Sequence, residues 1–511
     1  MHNAKMQRIW PRPKTTAVAL HGSASTQRIE AAAAARLPAH ALMQRAGLAV
    51  ARLALAMAPH ARCVWLACGP GNNGGDGLEA ALHLRAWGKH PVVTWLGSEE
   101  IAPADALASL HRARSAGVSF ADEPPSAFDL AVDALLGIGA SRAPEGRMAQ
   151  WLDRMESSGK PLLMVDLPSR LNADTGAPLA AAECRVATKS IAEHDYFTRP
   201  VSRICLNLLT VKPGMFTASG RDYADEIWFD DLGVADSDRS MSTADARLVS
   251  ADDVLIPDRP HASHKGAWGD VAVIGGATGM VGAAFLAARS ALHAGAGRVF
   301  VGLLTGQPTR LDPVQPELML RDPQTLDLRG MAVVCGCGGG VEVQAALPRV
   351  LSTAQRLVLD ADALNAIARD GSLQQLLAMR AARSLPTVLT PHPLEAARLA
   401  GMSTAEVQGA RLLCASQLAK RFACTVVLKG SGTVIAAPGI TPWINPTGNA
   451  RLATAGTGDV LAGMLSAHLA SVGDPVLAAL RAVYQHGRAA DEWQAPPALT
   501  AGGLAATIGW S

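Results

Sequence analysis

Short apolar runs without polar alternation recur along this chain, each followed by a stretch of helical period, and the pattern restarts once part-way. In the first half the runs are Arg62–Cys68, Pro91–Leu96, Asp129–Val132 and Pro161–Val165, with helical patterns such as Gly75–Trp87 and Ala102–Ala116 between them. A strand that is apolar throughout has no wet face, so these runs predict mainly parallel sheets covered by helices on both sides. Val234–Asp253 breaks the pattern with Ala, Asp, Ser and Arg and no period, and is expected to be a linker. The alternation then resumes with Gly269–Ile274, Arg298–Leu303, Ala332–Cys335, Arg356–Leu359, Thr387–Leu389 and Thr425–Leu428. At 511 residues the chain exceeds one ordinary core. The expectation is two three-layer α/β/α domains in series, residues 1–240 and 241–511, without mutual repeat.

Composition narrows the function classes. Lys+Arg 46 against Asp+Glu 44, with no dense basic run, argues against a nucleic-acid partner. No apolar stretch reaches the roughly 18 residues that span a bilayer, so no membrane role is expected. The apolar patch Ala17–Leu20 is too short for the core of a signal peptide. The eight cysteines are scattered without C-x-x-C spacing, which reads as buried or incidental thiols in a reducing compartment. A cytoplasmic enzyme is expected.

The strand-like Val64–Ala67 runs into Gly69-Pro-Gly-Asn72-Asn73-Gly74-Gly75-Asp76-Gly77, and a helix pattern follows. Gly69, Gly71 and Gly74 satisfy G-x-G-x-x-G in its strand–turn–helix setting, although a plain tight turn would read the same way. The acid that a redox dinucleotide site places on ribose is missing, since Glu99 comes late and in a loop. The asparagine amides stand beside backbone N–H groups at a helix N-terminus, a favourable place for phosphate. Their carbonyl oxygens, with nearby carboxylates, also suit a hard cation. Two further strand ends, Asp133–Arg142 and Asp166–Ser169, carry polar clusters. Either aspartate alone reads equally well as a helix cap. Ligands of open parallel sheets bind beyond the carboxyl ends of strands, so three such ends converge on one site.

In the second half, Asn445–Thr454 leads into Gly456-Thr457-Gly458-Asp459 and a helical run Val460–Leu469. Glycines at a helix N-terminus free N–H groups to face an anion, and Asp459 can take the proton of an attacking hydroxyl. Lys429-Gly430-Ser431-Gly432-Thr433 after an apolar strand suits nucleotide phosphates but is not a P-loop. For His392 the structural and functional readings both stay open. The pair Asp360 and Asp362 reads either as help for magnesium or as a solvated turn.

Met43–Gly47, Gly69–Gly77, Asp133–Arg142, Asp166–Ser169 and Lys212-Pro-Gly214 occur in the order found in the NAD(P)H-hydrate epimerase family, which residues 25–235 resemble. The resemblance implies a Rossmann-like fold binding hydrated NAD(P)H and a potassium ion. By it Asn72, Asn73, Gly74, Gly75, Asp76, Gly137, Ile138, Gly139, Ala140, Ser141, Arg142, Ala143 and Asp166 hold the substrate, and Asn73, Asp133 and Ser169 ligate potassium. Epimerisation at C6, by ring opening or by loss and return of the hydroxyl, needs a proton-transfer group, and Asp166 is the candidate. Two departures stand out. Arg170 occupies a place usually held by glycine, which suggests either a positive φ or a close ligand approach there; arginine tolerates neither easily, so an impaired or reshaped epimerase site is expected. Lys189–Val201 looks like an insertion.

Residues 260–495 resemble the ribokinase-like superfamily, and within it the ADP/ATP-dependent NAD(P)H-hydrate dehydratases. The segments are Ser263–Gly266, Gly275-Gly276, Gly279–Ala284, Gly336–Gly338, Thr390–Pro393, Gly456–Asp459 and His486-Gly487. The resemblance implies that Ala283, Gly338, His392 and Asp459 contact the hydrated cofactor. Lys429, Gly430, Ser431, Gly432, Thr433 and Gly458 would contact the adenine nucleotide, with Mg2+ at its phosphates and Asp459 as the base. Cys337 departs from the usual proline. Together the halves imply a bifunctional repair enzyme for hydrated NADH and NADPH, with ADP favoured over ATP as donor and a homo-oligomer expected. The alternative is a small-molecule kinase fused to a noncatalytic nicotinamide-binding domain.

Overall fold

The computed structural model describes residues 6–11, 18–179, 202–235, 243–306, 311–494 and 496–509. The chain divides into two compact units, the first running to Asp245 and the second from Ala246. The expected insertion Lys189–Val201 lies outside the described residues.

In the first unit the strands order as Met6–Trp10, Glu226–Asp230, Arg203–Leu208, Leu162–Val165, Leu130–Ala134, Cys63–Cys68, His90–Trp95 and Ser119–Phe120. All neighbours run parallel except Met6–Trp10, which lies antiparallel to Glu226–Asp230. Cys63–Cys68 pairs with His90–Trp95 on one side and Leu130–Ala134 on the other, so the strand order reverses there. A crevice opens at such a point, beyond the strand ends. The helices Asn72–Ala86 and Ala104–Ser115 overlap the two expected from period.

The second unit orders its strands as Met319–Leu320, Arg298–Leu303, Asp270–Gly275, Met331–Cys335, Arg356–Leu359, Thr387–Leu389, Thr425–Leu428, Val434–Ala436, Trp443–Ile444 and Ala246–Leu248. The first seven are parallel, whereas Val434–Ala436 is antiparallel to both its neighbours. Val271, Val273, Ala332 and Val334 enter one core, while Ala272, Ile274, Val333 and Cys335 enter the other. A period-2 backbone with apolar residues at every position can only be satisfied by helices on both faces. The stretch expected to be a linker needs correction here: Ala246–Leu248 pairs in parallel with Trp443–Ile444, and Asp252–Val254 forms a 3₁₀ turn.

The helix Thr457–Val472 is buried on almost every side, as its apolar sequence requires. A Cβ on Gly463 would lie 2.0 Å from the Ala287 carbonyl, so only glycine lets it pack this closely on Val281–His293. That packing holds its first turn, with Gly458 and Asp459, above the carboxyl ends of the strands. The described cysteines are free thiols. Among the described residues no helix is long and apolar enough to cross a membrane.

Candidate functional sites

A cavity of about 570 Å3 opens at the reversal point of the first sheet. Its floor is the glycine loop: a Cβ on Gly69 would fall 1.8 Å from the Leu135 carbonyl, so the two strand-end loops touch through backbone alone. Behind the cavity Asp133, 2% exposed, accepts the Ser169 N–H at 3.1 Å, the Ser169 hydroxyl at 2.6 Å and the Leu135 N–H at 3.2 Å. Burial still pushes its carboxyl above the usual range. Asn73 donates to the Leu136 carbonyl at 2.9 Å, and its own buried Oδ1 has no hydrogen-bond partner. A buried carboxylate beside an orphaned amide oxygen and a hydroxyl is a donor set for a hard cation.

Asp166 lies at the end of Leu162–Val165 with φ +63, a conformation costly for a residue with a Cβ and frequent at functional sites. Its Oδ1 accepts the Leu208 N–H at 3.0 Å and contacts the ammonium of Lys212. Lys212 is fully buried and also donates to the carbonyls of Leu208 at 2.9 Å and Thr210 at 3.1 Å. Asp76 and Glu30 line the same cavity. Both carboxyls are raised, first by burial and then by Asp166.

Of the residues expected from sequence, Asn72, Asn73, Asp76, Gly137, Ile138, Gly139, Ala140 and Asp166 line this cavity. Gly74, Gly75, Ser141, Arg142 and Ala143 are not among its walls, and Asp133 and Ser169 stand one layer behind. Gly74 acts through packing, since a Cβ there would lie 2.0 Å from the Gly69 carbonyl. The strain expected at Arg170 is absent. Its φ is not positive, and its guanidinium turns outward to Asp153 at 2.6 Å and Glu156 at 3.6 Å.

In the second unit the helix Thr457–Val472 starts at Gly456, φ +89, with no side-chain cap on its first N–H groups. Those donors face outward with the positive end of the dipole. Asp459, in that first turn, is pushed up to about 7 by burial, with Asp360 adding to the effect. The buried Asp360 accepts Lys429 Nζ and the Thr390 hydroxyl, each at 2.6 Å. Gly458 sits against Lys429, whose Nζ would be 3.4 Å from a Cβ there. Gly338, φ +55, lies beside Ala283, 2.9 Å from a would-be Cβ to the alanine methyl. The residues Ala283, Gly338, Lys429, Gly458 and Asp459 thus gather at the carboxyl edge of one sheet.

His392 caps the helix Pro393–Ala400, its Nδ1 accepting the N–H of Leu394 at 3.1 Å and of Glu395 at 3.4 Å. Nδ1 is therefore unprotonated, Nε2 carries the hydrogen toward Glu395 Oε1 at 3.2 Å, and burial lowers the imidazole pKa further. The cap leaves about half the ring exposed. Asp362 accepts the Gly340 N–H at 2.9 Å. Neither acid of that pair is a solvated turn, and both already have protein partners.

Sequence alone left the clamp under the Lys429–Thr433 loop unseen. Arg411, 1% exposed, donates to the carbonyls of Leu428 and Lys429, both at 3.2 Å, and to Gly432 at 3.5 Å. A guanidinium that gathers carbonyl ends turns peptide N–H groups the other way, toward an anion. Gly430, φ +127, passes over it with a Cβ position 3.0 Å from Nη1.

Residues 271–508 match the family described as NAD(P)H-hydrate dehydratase, and residues 39–192 the one described as YjeF-related protein N-terminus. A bifunctional NAD(P)H-hydrate repair enzyme of Escherichia coli strain K12 is 37% identical over 90% of this chain and 87% of its own. This chain belongs to that family of bifunctional repair enzymes. The repair enzyme of Gloeobacter violaceus is 36% identical over 94% of both chains, and that of Leishmania braziliensis 33% over 93% and 89%. Among solved structures, a Bacillus subtilis ADP/ATP-dependent NAD(P)H-hydrate dehydratase co-crystallised with ATP/Mg2+ is 33% identical. It covers 50% of this chain and 93% of its own, with a TM-score of 0.43.

Proposed function

We propose that this chain repairs hydrated NADH and NADPH, interconverting the two C6 epimers in its first unit and dehydrating the S epimer in its second. The dehydratase reading is carried by Asp459: a carboxyl poised near neutrality in the first turn of an uncapped helix, beside the lysine of a glycine-rich loop. Asp459 takes the C6 hydroxyl proton as that oxygen attacks the terminal phosphoryl group of the nucleotide. Charge growing on the phosphoryl oxygens meets the free N–H groups of the helix start and Lys429. Phosphate then leaves C6 as the ring nitrogen lone pair forms an iminium, and loss of the C5 proton restores the dihydropyridine. ADP is the proposed donor. Oxygens of Asp360 and Asp459 and the Cys337 sulfur lie within 4.8 Å of one another, a group that could hold a metal ion beside the helix start. Magnesium bound to nucleotide phosphates and water would supply further charge neutralisation there.

Because Asp459 must be ionised to act, kcat/KM for dehydration should rise with pH through about 7 and level off above it. The sign for stability is opposite. A folded-state pKa above the usual carboxylate value means the folded form binds more protons, so this group's contribution falls as pH rises toward 7. Incubating the full chain with S-hydrate and ADP, and following return of NADH absorbance against pH, tests both reading and limb. A flat profile from pH 5 to 8 would defeat Asp459 as the base, and transfer of phosphate to a stable product would favour the kinase alternative.

In the first unit, Asp166 is the proposed proton-transfer group, held in place by Lys212. Asp166→Asn should lower epimerase kcat on the order of 100-fold or more. Full activity in that variant would sink the assignment. Asn73 Oδ1, Asp133 and Ser169 would hold potassium, which there fixes the loops that carry the substrate. Replacing choline by potassium should raise the melting temperature of the first unit by about 3 °C. Asp133→Asn should remove that response, and a response unchanged in the variant would place the ion elsewhere.

A further inference from the structure

The epimerase cavity is rich in carboxyl groups and poor in cations. Four carboxyl groups line it, from Glu30, Asp76, Asp105 and Asp166, against one Lys or Arg, Lys212. Asp105 pairs with His40 at 2.5 Å and Asp166 with Lys212. Among the described residues neither the Glu30 nor the Asp76 carboxyl has a hydrogen-bond partner in the protein. The cavity they line also carries Leu37, Leu42, Met43 and Leu209, and burial, then the charge of Asp166, raises both carboxyls and favours their protonated forms.

An epimerase that removes a group from one face of a ring and returns it to the other needs both states of a carboxyl at once, a neutral acid and an ionised base. Asp166 enters from a strand end and Glu30 from the helix Ser23–Ala34, so the two come from separate walls. Asp76 instead lies just inside the helix Asn72–Ala86, next to the Cys68 thiol, at the base of the cavity. We propose that Glu30 is the second proton-transfer group of this cavity, protonating the departing C6 hydroxyl while Asp166 deprotonates the water that returns. This rests on the epimerase reading above.

The step balances. The Glu30 proton passes to the C6 oxygen, the C6–O bond breaks, water leaves, and the N1 lone pair forms a cationic C6–N1 double bond. Water then bonds to C6 from the opposite face, its proton goes to Asp166, and the lone pair returns to N1. One water leaves and one enters, and a proton has moved from Glu30 to Asp166. The enzyme now holds the protonation state that runs the reaction in the other direction, as two-way catalysis requires.

The test is epimerase turnover of the full chain on separated R and S hydrates, across pH, with dehydration by the same chains as the measure of active protein. Glu30→Gln keeps the shape and removes the acid. Its kcat should fall about 100-fold or more while KM stays within about threefold. The wild-type decline at alkaline pH should vanish with it. Asp76, Asp105, His40, Asp166 and Lys212 also face Glu30 and are unchanged in the variant. Glu30→Asp retains a carboxyl, so it should recover much of the lost kcat and keep the alkaline limb. The proposal is overturned if Glu30→Gln keeps half its kcat, if the loss is confined to KM, or if Glu30→Asp is as impaired as Glu30→Gln. A wild-type chain without epimerase activity would instead defeat the underlying reading.

Discussion

Asp459→Asn should reduce dehydration on the order of 1,000-fold while leaving nucleotide affinity within about twofold. Asparagine keeps the size of the side chain, and a hydrogen bond from the neighbouring Cys337 thiol can still be accepted. What is lost is the only function a carboxylate has here that an amide lacks, taking a proton. The groups proposed to face phosphate remain, since the backbone of the helix start, the Lys429–Asp360 pair and the Arg411 clamp do not depend on the Asp459 side chain. Titrating the variant with ADP while measuring turnover separates the two effects. Turnover within tenfold of wild type would show that another group removes the C6 hydroxyl proton.

The legible parts of the fold were those in which one residue run carries its own reason. Arg298–Leu303, Arg356–Leu359, Thr387–Leu389 and Thr425–Leu428 form strands over the ranges expected from sequence, because a run apolar on both faces is stable only inside a covered sheet. Val434–Ala436, Trp443–Ile444 and Ala246–Leu248 were not legible. Two or three residues hold no period, and the last exists only because a partner strand far away in sequence lies beside it. The site divides in the same way. Asp459 and the Asn72–Asp76 loop could be read from glycine spacing at helix starts. Glu30 could not, since within Ser23–Ala34 it is an ordinary helical glutamate until a cavity closes over it. Arg411 opens a helix that also contains Lys420 and Arg421, and only the carbonyls above it set it apart. At Arg170 the expectation failed for a local reason: the positive φ of this turn falls on Asp166, so the later position tolerates a Cβ.

Asp360→Asn should destabilise the second unit by about 3–5 kcal/mol, the loss expected when one partner of a buried ion pair is removed. Asp360 is 2% exposed and the Lys429 side chain 17%, so water replaces little of what the ammonium loses. Lys429 keeps its charge in the wild type because Asp360 and then Glu395 outweigh the effect of burial. Without the carboxylate that balance reverses, and the lysine tends to shed its proton or leave the site. Adding Lys429→Met removes the stranded charge, so the double variant should recover much of the stability lost by Asp360→Asn, a coupling that thermal or urea unfolding of all four chains measures. Function should not recover with it. Lys429 is the cation beside Gly458, and the double variant should bind ADP more weakly by about tenfold or more even where it is as stable as wild type. Equal losses in the single and double variants would mean that Asp360 acts through the Thr390 hydroxyl and not through the lysine. Recovery of both stability and ADP binding would remove Lys429 from the nucleotide site.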